Sequence, residues 1–206
     1  MKPVLIFFLV GLVFVLSPGC ENNDPGDNNR KLLGTGPIVS KTLSLDEFSM
    51  IENTGVADIH ISQGNPQTVV LNAQQNIIDV MTIGVLGDEL KIGMEKGVSI
   101  KNADTIRFDI TIPEVTSVSL IGVGDYILSG DFQEELRIVI QGVGNVRAFD
   151  QEVGTCSIFI TGFGDCEVNV KDELIVDLTG VGKIYYKGHP NIDSSISGVG
   201  SLIDAN

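Results

Sequence analysis

The sequence predicts an all-β protein built as a parallel β-helix, or β-solenoid, with less regular rungs in its N-terminal half. Three observations lead to this prediction. A short glycine word recurs at nearly constant spacing, apolar and polar residues alternate on both sides of it, and no segment after residue 20 shows the 3.6-residue period of an amphipathic helix. Each predicted rung has 18–20 residues and one Gly-x-Gly corner.

The glycine word sets the predicted corners. Gly-Val-Gly begins at residues 122, 142, 180 and 198, and Gly162-Phe163-Gly164 is the same word with phenylalanine. A degenerate copy stands at residues 55–57, and a small polar or charged residue follows each of the later words. We expect the glycines to form bends that leave no room for a Cβ, and the residue between them to point inward.

Apolar residues occupy every second position on either side of the corners. Two residues before each word stand Leu120, Ile140, Ile160, Leu178 and Ile196. Four residues after the first glycine stand Tyr126, Val146, Cys166, Ile184 and Leu202. This two-residue period predicts strand–corner–strand units. Because one such unit cannot bury its apolar face alone, we expect the units to stack into inward ladders.

The chain is predicted to have three segments. Residues 1–19 are typical of a lipoprotein signal peptide, because Lys2 precedes an apolar run over residues 4–16 that is too short to span a bilayer. Residues 20–40 are predicted to be a flexible tether, and residues 41–206 a single β-solenoid domain. Within it, 41–113 are expected to form irregular capping rungs and 114–206 regular repeats. A β-sandwich preceding the solenoid is the alternative for 41–113.

Cys20 closes the apolar segment and resembles the lipidated cysteine of bacterial lipoproteins. The resemblance implies cleavage before Cys20 and acylation of that residue, and therefore an exported protein held in the cell envelope by lipid. We expect the outer membrane, with the side of that membrane left open. The alternative is an ordinary signal peptide cleaved near Gly19.

Charge and motif spacing exclude several classes of function. The net charge of −14 makes nucleic acid an unsuitable partner. The glycine words lack the third glycine and the following helix of a dinucleotide loop, and their period is twice that of calcium-binding solenoids. We therefore expect no cofactor and no metal site, and no membrane contact beyond the lipid anchor.

Three stretches of the sequence resemble one family. FSMIENTGVADIHISQGNPQTVVL, DELKIGMEKG and IRFDITIPEVTSVSLIGVGDY, with the later Gly-x-Gly words, are similar to the head GIN domain family of auto-transporter adhesins. The resemblance covers roughly residues 41–206. It implies a β-helical, exported protein with an adhesin-like role, and it brings no catalytic residues to this chain.

A candidate binding face lies on the outward positions after the corners. It exposes apolar and aromatic groups among charged ones, a composition typical of ligand surfaces. Its members are Ile127, Arg147, Phe149, Tyr185 and Lys187. The expected partner is a glycan or an envelope protein, and the predicted function is non-enzymatic and adhesin-like. Two alternatives stay open: a β-helix polysaccharide lyase or glycosidase that uses carboxylates such as Asp125 and Asp165, and an envelope scaffold or accessory protein.

Two further features allow alternative interpretations. Cys156 and Cys166 both fall in inward columns, and they form either a disulfide or two buried thiols that act as small hydrophobic side chains. The last predicted rung has no rung beyond it, so a homodimer through this open end is expected unless charge blocks it.

Overall fold

The computed structural model describes residues 30–206. The predicted signal peptide, Cys20 and residues 20–29 of the predicted tether lie outside this range. The strands begin at Arg30 rather than at residue 41, because Leu32 and Val39 pack against the core. Within the described range, the one helix has four residues and is too short and too polar to cross a membrane.

Residues 30–206 contain seventeen strands and one short helix. The first half has β1 (Arg30–Leu33), β2 (Ile38–Leu43), β3 (Met50–Asn53), β4 (Asp58–Gln63), β5 (Thr68–Gln74), α1 (Gln75–Ile78), β6 (Met81–Leu86), β7 (Glu89–Met94), β8 (Val98–Asn102) and β9 (Arg107–Ile112). The second half has β10 (Ser117–Leu120), β11 (Tyr126–Ser129), β12 (Gln133–Ile140), β13 (Val146–Ile160), β14 (Cys166–Leu178), β15 (Val181–Lys187), β16 (Asn191–Ile196) and β17 (Val199–Asp204). The predicted all-β class is confirmed.

Fifteen of these strands form one curled sheet, and β1 and β8 form a separate two-stranded ribbon. The sheet curls because β13 and β14 are long enough to bend around the core. The start of β13 pairs with β11, while its end pairs with β12. The strands therefore lie on two sides, one that precedes the Gly-x-Gly corners and one that follows them.

The strands of the second half pair in parallel at the spacing of the sequence repeat. Leu120 lies beside Ile140, and Ile140 lies beside Ile160. Ile160 in turn lies beside Leu178, which lies beside Ile196. The first four are fully buried, whereas Ile196 is 40% exposed because within the described residues β16 has a neighbour on one side only.

The first half is less regular than the second and contains antiparallel strands. β5 pairs antiparallel with β2 and β9, and β6 pairs antiparallel with β7. β3 and β4 instead pair in parallel with β10 and β11, so they continue the same sheet. One hydrophobic core extends from Phe48 to Ile184, which gives the alternative of a separate β-sandwich no support.

The residue between the two corner glycines points outward, contrary to the inward orientation expected from the sequence. Val143 is 51% exposed and Phe163 is 60% exposed. The alternation of the strands continues through the corner, so the glycines themselves take the two inward positions. There the chain passes so close to the preceding rung that a Cβ on Gly142 would overlap the carbonyl oxygen of Gly122. The close approach therefore requires glycine, as predicted.

Candidate functional site

The candidate surface is the outward side of the strands that follow the corners, which we call the post-corner face. Its strands are β4, β11, β15 and β17 with the first parts of β13 and β14. Parallel pairing places equivalent residues of successive rungs side by side, about 4.8 Å apart. The surface therefore consists of columns of side chains held on a hydrogen-bonded backbone.

The column next to the corners is a ladder of side-chain acceptors. The backbone N–H of Asp125 donates to Asp58 Oδ1 at 2.9 Å, and that of Asn145 donates to Asp125 Oδ1 at 2.8 Å. The N–H of Asp165 donates to Asn145 Oδ1 at 2.9 Å, and that of Lys183 donates to Asp165 Oδ1 at 2.7 Å. The polar side chains of Asp58, Asp125, Asn145 and Asp165 thus have a structural role as acceptors. The ladder ends at Lys183, because an ammonium group cannot accept a hydrogen bond.

Arg147 is fixed by the same ladder. Its Nη1 donates to Asp125 Oδ2 at 2.9 Å, and this ion pair is about half exposed. Burial acts to raise the pKa of Asp125, but the hydrogen bonds from Asn145 and Arg147 outweigh it and leave the pKa below its usual range. Asp125 is therefore firmly ionised at neutral pH and orients the guanidinium.

The structure places all five predicted face residues on this surface and brings some of them together. Ile127 lies beside Arg147, and both are exposed. Lys187 Nζ lies 4.3 Å from the centroid of the Phe149 ring, a cation–π contact. Tyr185 is half-buried beside Glu167. A shallow polar cleft of about 180 Å³ lies in the middle of the face, lined by Asn145, Val146, Arg147, Asp165 and Glu167.

The carboxylates on which a glycosidase or lyase could rely do not all lie on one side of the molecule. Asp125 and Asp165 belong to the acceptor ladder, and Glu167 neighbours them on the post-corner face. Asp177 lies in the part of β14 that pairs with β16, on the side that precedes the corners. Within residues 30–206, no group of three or more histidine, cysteine or acidic residues comes together as a metal site.

Cys156 and Cys166, the two cysteines within residues 30–206, are free thiols in the structure and form no disulfide there. Cys156 lies in register with Leu136 and Leu174, whereas Cys166 lies in register with Val146. Both are completely buried, and burial raises the pKa of Cys156 to about 12 and also raises that of Cys166. Both thiols therefore pack as small apolar side chains.

Sequence reasoning missed a second surface feature, the row of exposed apolar residues at the corners. We call it the corner ridge, and its members are Val56, Val123, Val143, Phe163, Val181 and Val199. The signal was present in the sequence. Counted from the first glycine of each word, the outward residues of the following strand occupy positions three, five and seven. The residue between the glycines occupies position one, so strict alternation would have placed its side chain outside as well.

Comparison with known proteins agrees with this architecture. A sequence family described as "Putative auto-transporter adhesin, head GIN domain" matches residues 47–134 and 116–190. The chain belongs to this family. Membership of the head GIN family indicates an exported or surface protein, and the description names adhesion rather than catalysis. The comparison with curated proteins gives no match.

Three solved structures resemble this member of the head GIN family. A "putative adhesin" from Bacteroides fragilis is 20% identical with a TM-score of 0.60, and the match covers 84% of this chain and 99% of that one. This likeness shows the fold alone. A "putative lipid binding protein" from Parabacteroides distasonis is 18% identical with a TM-score of 0.49, over 86% of this chain and 100% of that one. A "putative adhesin" from Parabacteroides merdae is 16% identical with a TM-score of 0.47, over 85% and 99%.

Proposed function

We propose that the chain is a non-enzymatic, adhesin-like protein that binds a glycan or an envelope protein through its post-corner face. The observation that carries this proposal is the grouping of Phe149, Lys187, Tyr185 and Arg147 on one face of a rigid sheet. Aromatic rings offer flat apolar area to sugar rings or to a partner's side chains, and neighbouring polar groups fix orientation. The family's adhesin description supports the same conclusion.

The scaffold of this face is proposed to be an irregular β-solenoid. The parallel pairing of β12, β13, β14 and β16 at the sequence repeat supports this assignment, and so do the parallel bridges between successive corners. In such a scaffold each rung rests on its neighbours, so the face keeps its spacing without help from a ligand.

The protein is further proposed to be a lipoprotein anchored through Cys20 to the outer membrane. Two or more acyl chains give stable anchoring, and a polar tether of roughly 10–20 residues keeps the body near the bilayer. The intact mass of the protein extracted from the envelope tests this. A chain that begins at Cys20 and carries acyl groups supports the proposal, whereas an unmodified N-terminus contradicts it.

The lowered pKa of Asp125 supports a binding role for this carboxylate rather than the role of a catalytic acid. A glycosidase needs one carboxyl group whose pKa is raised so that it can act as an acid. The pKa of Asp125 is shifted in the opposite direction, by the hydrogen bonds from the Asn145 amide and from Arg147, and Asp177 lies on the other side of the sheet. Product release from acidic polysaccharides, with and without calcium, would contradict the proposal.

The binding face is tested by alanine substitution. A glycan array and pull-down from the native envelope identify the ligand, and binding is then measured for Phe149→Ala and Tyr185→Ala. We expect each variant to weaken binding by about 10-fold or more, as for aromatic residues at the centre of an interface.

Phe132→Ala is the matched control for these variants. Phe132 also lies under a lysine, with Lys171 Nζ 5.3 Å from its ring centroid, but it stands at the bend opposite the corners, between β11 and β12. The Phe132→Ala variant should bind the ligand within about 2-fold of the wild type. Unchanged binding by both face variants would show that the ligand lies elsewhere.

A further inference from the structure

The corner ridge is an ordered apolar row that the proposed binding face does not explain. Its members are 38–71% exposed, and the first five are joined in succession by parallel bridges. At about 4.8 Å per rung, the six side chains form a straight row roughly 24 Å long. The sequence places valine or phenylalanine at all six of these outward positions.

The charges beside the ridge change sign along its length. Asp58 and Asp125 flank one end, Asn145 and Asp165 flank the middle, and Lys183 flanks the far end. Lys183 forms no ion pair within residues 30–206, whereas the carboxylates continue as the acceptor ladder. A surface with opposite charges at its two ends is complementary to a reversed copy of itself.

We propose that a second copy of this chain docks on the corner ridge in antiparallel orientation. Reversing one ridge against the other places Val143 against Phe163 of the second copy, and Val123 against Val181. The same register places Asp125 opposite Lys183 and Asn145 opposite Asp165, so no two like charges meet. A parallel arrangement would place Asp125 opposite the exposed Ile121, so the pairing of Asp125 with Lys183 across the contact would be lost.

The two ends of the ridge also differ in shape. Near Val56 the ridge borders a cleft of about 410 Å³, lined by residues 56–58 and 100–106 with Val123 and Gly124. At the other end Val199 projects with 71% of its surface exposed. The antiparallel register brings Val199 of the second copy to this cleft, where Ile100 and Ile106 supply apolar walls.

The size of the ridge predicts a weak contact. Its outward columns cover roughly 24 Å by 13 Å, or about 300 Å² per copy, which is less than half of a standard interface. A contact of this size is effective when many copies act together on a surface. This inference rests on the proposed lipid anchor. The first strand, β1, pairs with β8, whose residues line the cleft at the Val56 end of the ridge. Antiparallel docking therefore points the two anchored ends in opposite directions and joins two facing membranes.

The experiment uses the processed lipoprotein on phosphatidylcholine vesicles, with vesicle clustering followed by light scattering. Phe163→Asp introduces a charge at the centre of the ridge and should slow clustering by about 10-fold or more. Leu86→Asp is the matched control, because Leu86 is 75% exposed on β6 and lies away from the ridge. It should leave the clustering rate within about 2-fold of the wild type.

A charge reversal tests the register. Lys183→Glu places two acids opposite each other and should slow clustering several-fold. Adding Asp125→Asn removes one of these charges but keeps the oxygen that accepts the Asn145 amide, and should restore most of the rate. Failure of Phe163→Asp to slow clustering overturns the proposal. The proposal is also overturned if Ile196→Asp abolishes clustering and no ridge variant does. Ile196 lies on the open last rung, so this result would indicate an end-to-end dimer.

The outcome is separable from that of the proposed function. Phe163→Asp should keep the ligand binding that depends on Tyr185. If vesicles never cluster while Tyr185-dependent binding persists, only the ridge proposal is wrong. A third result is also possible: the wild type does not cluster vesicles, and Phe163→Asp no longer retains an envelope component that the wild type retains in the pull-down. In that case the ridge binds that component, and the proposal is overturned.

Discussion

At the scale of single residues, the corner glycines show how close packing decides identity. Gly162 is buried, and a Cβ there would overlap the carbonyl oxygen of Gly142 on the preceding rung. The obstacle is backbone held by hydrogen bonds, since Gly142 O accepts the N–H of Phe163 at 2.9 Å. Neither rung can move without losing such bonds, so the requirement is steric.

Gly162→Ala should therefore destabilise the protein strongly, by about 2–4 kcal/mol, because a clash with fixed backbone resembles overpacking of a core. Gly84→Ala is the control: Gly84 lies in β6, and nothing lies within 4 Å of the position its Cβ would occupy. It should be neutral or stabilising by up to about 1 kcal/mol. Urea unfolding midpoints measure both, and equal midpoints would refute the steric account.

At the scale of structural elements, the acceptor ladder joins strands that are already paired through their backbones. Each Asp or Asn oxygen satisfies the first N–H after a corner, where the chain leaves one side of the sheet for the other. Asp125 has two tasks, because Oδ1 accepts the Asn145 amide and Oδ2 accepts Arg147. These two tasks can be separated by substitution.

Asp125→Asn keeps the amide acceptor and loses only the half-exposed ion pair, so it should cost about 0.2–1 kcal/mol at pH 7. Asp125→Ala also leaves the Asn145 N–H without its partner and should cost about 1–2 kcal/mol more. Because the folded pKa of Asp125 is lowered, the stabilisation by its charge is present above the usual pKa and disappears as pH falls through the folded value.

The difference in the free energy of unfolding between the wild type and Asp125→Asn should thus become smaller below about pH 4, where carboxyl groups of the unfolded chain are protonated. The difference between the wild type and Asp125→Ala should persist in part, because the Asn145 N–H still lacks its acceptor. Urea titrations at several pH values provide the measurement. A gap that widens in acid would show that the ladder carboxylate is not stabilised in its ionised form.

At the scale of the whole molecule, the sequence repeat predicted the second half of the fold and little of the first. The columns of Ile140 and Val146 were visible because equivalent residues recur at fixed spacing. The first half has no such recurrence, and its spatial order departs from chain order. β3 and β4 pair on one side with the later β10 and β11, and on the other with β7 and β9.

The candidate surface was predicted in the same uneven way. The outward side of the post-corner strands followed from alternation, and of the five predicted residues Ile127 and Arg147 are exposed whereas Phe149, Tyr185 and Lys187 are half-buried. The contact between Lys187 and Phe149 could not be foreseen, because it crosses the intervening rung that carries Asn169. The ridge was missed because apolar residues are assumed to be buried, although the two-residue alternation of the strands places Phe163 at an outward position.

A sheet should lose stability towards an edge that has no neighbour, because each strand is held by the contacts on its two sides. β16 pairs only with β14, and β17 only with β15, within the described residues. Leu178 is fully buried, but its neighbour Ile196 is 40% exposed. Asn206 reinforces only one point of this rung, by exchanging hydrogen bonds with the backbone of Gly188.

Amide hydrogen exchange should therefore be at least about 10-fold faster in β16 than in β12, which has a parallel neighbour on each side. Leu178→Ala should cost about 2–4 kcal/mol, and Ile196→Ala less than about 1 kcal/mol, because only the former empties a closed core site. Measurement at dilute concentration keeps self-association out of the comparison. Equal protection of β16 and β12 would mean that another surface covers the last rung, as the expected end-to-end homodimer would.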